Sequence, residues 1–110
     1  MPGRRMRSVQ GWTAVLLRPG VVPILAALHE HEGYRSFAEI RAAAAGDDAV
    51  IAANVLRMLG ARDLVARGGA VAGTWDQPND ASLFALTDRG REFAAAVANL
   101  TAFVSRLPRR

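Results

Sequence analysis

The sequence predicts a mainly helical domain completed by a small β-hairpin. Three observations carry that expectation. Apolar residues recur at helical spacing in successive segments punctuated by Pro, Gly or acidic and hydroxyl caps. Two short alternating stretches, LVAR at 64–67 and LFAL at 83–86, flank the loop GGAVAGTWDQPNDAS, whose Gly, Pro, Asn and Asp content is that of a hairpin connection. The last segment spaces Phe93, Val97, Leu100, Val104 and Leu107 by 4, 3, 4 and 3 residues, the seam of a packing helix.

Each element follows in order. Residues 1–8 read as a disordered basic tail, and residues 9–107 as a single domain. Val9, Trp12, Val15 and Leu16 define a first helix, which Pro19-Gly20 ends. A second helix tolerates Pro23 in its first turn and turns Ile24, Leu25 and Leu28 inward. It closes by Gly33, and Tyr34-Arg35 form a short extended segment. The sequence SFAE is a capping box: Ser36 accepts from the third amide and Glu39 reaches back to the Ser36 amide. The helix it starts buries Phe37 and Ile40 and ends near Gly46. Asp47 is expected to cap the next helix, 47–61, where its charge suits the positive helix end. The two hairpin strands follow, and Thr87 caps a final helix over about 88–107. Two helices joined by a short turn and followed by a β-hairpin make a winged helix-turn-helix, here with N- and C-terminal helices available for dimerisation.

Composition limits the function. About half of the 110 residues are apolar, enough for one real core. There is no cysteine, which removes disulfides and thiolate metal sites and fits a cytoplasmic protein. The longest early apolar run, GWTAVLL, is cut by Arg18 and is too short for a membrane span or an export signal. All 14 basic residues are arginine, and the formal charge is +4. Four of them lie in residues 1–18 and three in 106–110, with no acid in either stretch, so the body between carries −3. The positive charge therefore sits mainly at the chain ends.

The stretches LRMLGARDLVAR (56–67) and LFALTDRGREF (83–93), with ILAAL and YRSFAEI between 24 and 40, resemble bacterial winged-helix regulators of the MarR, ArsR, PadR and HxlR kinds, the HxlR kind most. The resemblance covers roughly residues 20–107. It implies a dimeric DNA-binding transcriptional regulator. One glycine familiar in the turn before "LV" is Asp63 here. The stretch AAAAGDDAVIAANVLRMLGARDLV is also similar to the N-terminal dimerisation domain of small-molecule O-methyltransferases, a winged helix with no DNA function. The chain has no Gly-rich nucleotide-binding unit, so it is not itself that enzyme.

Base readout requires Arg or Lys against guanine, Asn or Gln against adenine, or an apolar contact to the thymine methyl. The groove-facing positions of helix 47–61 are about Asp48, Ala49, Ala53, Asn54 and Arg57, so Asn54 and Arg57 are the base-reading candidates. Arg35, Arg41, Arg67 and the tail residues Arg4, Arg5 and Arg7 are candidates for phosphate, which gives affinity without sequence information. Against this stand Asp47 and Asp48 at the helix start and a wing carrying Trp75, Asp76, Gln77 and Asp80 with no basic residue after Arg67. The alternative is a degenerate winged-helix module that binds a protein partner or a small apolar ligand, with Trp75 as its anchor.

No other constellation carries chemistry. His29 and His31 are two apart on a helix and point to different faces, whereas helix-borne metal pairs use a spacing of four, so no metal or other cofactor is expected. Asp76 and Asp80 have no positioned partner, and Ser8, Ser36, Ser82 and Ser105 have no nucleophile-elbow setting, so the chain reads as a non-enzyme. The seam Phe93, Val97, Leu100, Val104 and Leu107 either packs on its own domain or, as the regulator resemblance implies, pairs with the first helix of a second chain, with Trp12 and Phe103 joining that homodimer interface. A small-molecule effector could enter between the dimerisation helices and the core.

Overall fold

The computed structural model describes residues 14–68 and 78–107. Helix α1 is Val21–His29, α2 Phe37–Ala44, α3 Ala49–Ala61 and α4 Asp88–Ser105; strands are β1 Arg35–Ser36, β2 Val65–Gly68 and β3 Leu83–Leu86. Residues 14–16 are also helical. The strands form an antiparallel sheet in the order β1-β3-β2, with Arg35 opposite Phe84 and Val65 opposite Leu86. Helices α2 and α3 joined by a short turn, with the β2–β3 hairpin behind them, give the winged helix-turn-helix arrangement. Arg4, Arg5, Arg7, Trp12, Trp75, Asp76 and Gln77, all singled out from the sequence, lie outside the described residues.

One core joins these elements. Ile24, Leu25 and Leu28 of α1, Phe37 and Ile40 of α2, Val55, Leu56 and Leu59 of α3, and Leu64, Phe84 and Leu86 at the hairpin are buried together. Phe37 and Phe84 meet with ring centroids 6.3 Å apart at 56°, a tilted aromatic contact that ties α2 to the sheet. Ridge residues of α3 fill this core on one side only. The helix therefore has one dry face and one solvated face.

The ends of α3 show why this sequence places it here. The expected cap was Asp47, but the N-cap is Asp48, whose carboxylate accepts from the Val50 and Ile51 amides at 3.0 and 3.1 Å. Asp47 sits one residue earlier in the left-handed region, φ 64°, and its Oδ1 accepts from Arg41 Nε at 2.8 Å. At the other end Arg62 is the C-cap and Asp63 adopts φ 61°. The Leu64 amide donates to the Leu59 carbonyl and the Asp63 amide to the Gly60 carbonyl, the two bonds of a Schellman motif. Leu64 and Leu59 are both buried, the hydrophobic contact that goes with that motif. A glycine would take the left-handed position without strain; aspartate is among the few side chains that tolerate it.

Two glycines are required by contact. Gly20, at φ 86°, caps α1, and a Cβ there would stand 2.8 Å from Ile51 Cγ2 of α3. Gly90 lies in the first turn of α4, and a Cβ there would collide with the Leu64 carbonyl oxygen. Thr87 caps α4 by accepting from the Gly90 amide at 2.9 Å, while its own hydroxyl donates to the Asp63 carbonyl at 2.7 Å and its amide to the Leu64 carbonyl at 3.0 Å. The LTDRG stretch thus locks the start of α4 onto the turn that ends α3. Ser36 caps α2 by accepting from the Glu39 amide at 3.2 Å. The reciprocal half of the expected capping box differs: Glu39 accepts from the Ser36 hydroxyl at 3.0 Å rather than from its amide, Ser36 being a strand residue paired with Leu83.

Candidate nucleic-acid interface

The solvated face of α3 follows from its buried one. With Ala52, Val55, Leu56 and Leu59 inward, helical spacing turns Asp48, Ala49, Val50, Asn54 and Arg57 outward, and all five are exposed. Asn54 and Arg57 lie three apart on this face, and an Arg57 Nη2–H donates to Asn54 Oδ1 at 3.4 Å. These are the two residue types whose side chains can pair with adenine and guanine edges. Val50, part of the apolar stretch 49–53 that the partner-binding alternative would use, is 69% exposed in the first turn beside them. Its apolar character alone suggests a core position; only its place opposite Leu56 and Leu59 on the helical wheel reveals it as outward. An exposed β-branched methyl pair here suits contact with a thymine methyl or with an apolar partner surface.

The arginines expected on phosphate are not alike. Arg35 is partly buried: its Nη1 donates to the Ala27 carbonyl of α1 at 3.1 Å, and its Nε is 3.5 Å from Glu39 Oε2. Arg41 donates from Nε to Asp47 Oδ1 and from Nη1 to Asp80 Oδ1, both at 2.8 Å, with its guanidinium carbon 5.7 Å from the Phe37 ring centroid. The hydrogen bond to Asp47, and next the one to Asp80, raise the Arg41 pKa above its ordinary value. Both side chains thus have roles inside the fold that sequence spacing does not reveal. Arg67 lies half-buried on β2, opposite Phe84. The turn entering β3 is held by Ser82, fully buried, whose Oγ accepts from the Asn79 amide at 3.0 Å. Of the two histidines, His31 has its Nε2 3.1 Å from the Tyr34 carbonyl oxygen. Among the described residues no group of three His, Cys, Asp or Glu side chains is placed to hold a metal ion, and no helix is long and apolar enough to cross a membrane.

Two grooves adjoin this frame. One, of about 280 Å³, runs along the side of α3 between Arg18, Pro19, Ile51, Asn54, Val55 and Met58. The other, of about 290 Å³ and almost wholly apolar, lies between α1 and α4, lined by Val22, Leu25, Ala26, Ala94, Val97 and Ala98 among others. Beyond it α4 leaves the domain. Phe93 packs on the core and Val97 is half-buried, but Leu100, Phe103, Val104 and Leu107 are 57, 55, 55 and 49% exposed. Four large apolar side chains within two turns form a patch of the kind that marks an interaction surface.

No protein-family model matches the chain, and no curated protein matches it. A solved structure of Bordetella bronchiseptica BpsR, concerned with the regulation of its DNA binding by 6-hydroxynicotinic acid, is similar to it over 96% of this chain and 76% of that one, with 21% sequence identity and a TM-score of 0.63. At that identity the likeness bears on the fold alone and agrees with a winged-helix arrangement.

Proposed function

We propose that this chain is a DNA-binding transcriptional regulator that acts as a homodimer, with α3 in the major groove. The observation that carries the reading is the outward pair Asn54 and Arg57 on a helix whose opposite face is locked into the core. A rigid inner face holds the two side chains in a fixed register against base edges, with Val50 and Ala53 beside them for thymine methyls. The likeness to BpsR, a protein whose DNA binding a small molecule regulates, supports both a regulator and a ligand-responsive one. The apolar groove between α1 and α4 is where such an effector would fit. The exposed end of α4 supports pairing with a second copy, which sets two reading helices about one turn of DNA apart. The function so read is binding, not catalysis.

The experiment is a titration of DNA flanking the protein's own gene. Asn54→Ala and Arg57→Ala should each weaken specific binding by about 1–3 kcal/mol and change random-duplex binding less. Equal losses on both duplexes would reject base reading by α3. A second reading rests on a different observation: the acidic cap Asp48 and the exposed Val50 share the face with Asn54 and Arg57. Such a face also suits a protein partner. In that case Val50→Glu would abolish partner binding, while no duplex would be preferred over another.

A further inference from the structure

Arg41 stands where three parts of the DNA-facing half meet. It belongs to α2. Its Nε reaches Asp47 in the turn before α3, and its Nη1 reaches Asp80 at the base of the wing, 39 residues along the chain. The two bonds leave from different atoms of one planar group, so the carboxylates are held at a fixed separation, a geometry that a single ammonium cannot copy. The backbone reinforces the first arm: the Ala45 and Asp47 amides both donate to the Arg41 carbonyl at 3.1 Å. It reinforces the second as well: the Ala38 amide donates to the Asp80 carbonyl, and the Phe37 amide to that of Ser82. The Phe37 ring lies against the guanidinium and restricts its rotation.

We infer that Arg41 is a positioning residue: through Asp47 and Asp80 it couples the turn that aims α3 to the base of the wing, so that the two DNA-facing elements keep one relative placement. The coupling itself does not depend on what the face binds. That it serves base reading rests on the function proposed above.

Amide hydrogen exchange on the full chain tests the coupling without DNA. Asp47→Gly removes one carboxylate while keeping a residue at ease with a positive φ. The Ala38 and Ser82 amides, at the wing base, should then exchange about two- to fivefold faster, the range expected for a solvent-exposed ion pair. Arg41→Lys, which keeps the charge but not the fork, should give the same acceleration, and adding Asp47→Gly to it should give no more. If Asp47→Gly alters exchange only at residues 45–51, or if the two substitutions add fully at the wing base, the coupling is overturned. In a second arm, Arg41→Lys should lower the preference for the specific over a random duplex. A wild type with no preference would end the DNA reading and leave the exchange result standing; a preference that Arg41→Lys leaves intact would end the role of the coupling in base reading.

Discussion

Helices α3 and α4 each turn one face into the same core, but their outer faces differ in chemistry. The outer face of α3 carries Asn54 and Arg57, two side chains that hydrogen-bond, among small apolar ones. The outer end of α4 carries Leu100, Phe103 and Val104, with Leu107 just beyond it, and has no apolar cover among the described residues. The first kind of surface is stable in water and gains by meeting ordered donors and acceptors. The second is costly in water and gains by meeting its like. One small domain therefore presents two surfaces of different chemistry, and the proposed function assigns recognition to α3 and assembly to α4.

The largest expected effect breaks the assembly side. Leu100→Glu with Val104→Glu places two charges on the bare end of α4, and burying them in a partner interface would be prohibitive. Size-exclusion chromatography with light scattering should show a dimer for the wild type and a monomer for the variant, with thermal stability of the folded unit little changed. A wild-type monomer at micromolar concentration would remove pairing from the account.

The inner faces should respond differently. Leu59→Ala on α3 should cost about 2–5 kcal/mol, because Leu59 is fully buried where α3 meets the hairpin. Gly90→Ala at the start of α4 should cost about 1–3 kcal/mol although it adds only one methyl group, since the Leu64 carbonyl must move to admit it. Denaturant midpoints check both. An unchanged midpoint for Gly90→Ala would mean that α4 is not seated on the turn after α3 as described.

The smallest expected effect lies at α2, which packs against α3. The hydrogen bond from Ser36 holds the Glu39 carboxyl below its ordinary value of 4.5. A depressed carboxylate contributes stability that is fully present above the unfolded-state pKa and is lost as pH falls through the lower folded-state value. Glu39→Gln should therefore lower stability slightly at neutral pH, converge with the wild type in acid, and so flatten the profile below about pH 4.5. An acid limb identical to that of the wild type would show that the exposed pair of Ser36 and Glu39 contributes nothing.

Much of the fold was legible because it depends on local pattern. The 3.6-residue spacing of Leu56 and Leu59, the alternation at Leu64 and Leu86, and the caps Ser36 and Thr87 each declare themselves within a few residues. What was not legible depends on distance along the chain. Nothing near Arg41 announces Asp80, and nothing near Arg35 announces the Ala27 carbonyl, so both arginines read as available cations. Asp47 and Asp48 are chemically the same cap; only the left-handed turn at Asp47 makes Asp48 the capping residue. The seam from Phe93 to Leu107 reads as one continuous pattern, yet which of its side chains the described core covers is a tertiary fact: Phe93 packs on it, while Leu100, Val104 and Leu107 are exposed. Asn54 and Arg57 were legible because the helical wheel alone places them opposite the leucines.

The central claim is that α3 reads a base sequence, and one titration addresses it directly. Binding of the full chain to DNA flanking its own gene is measured against a scrambled duplex of equal composition, at two salt concentrations. The account predicts that both affinities fall with salt, because arginine contacts to phosphate release counterions, while the native duplex keeps an advantage of about 10³-fold or more over the scrambled one. Equal affinity for the two duplexes, declining together to nothing as salt is raised, would contradict it.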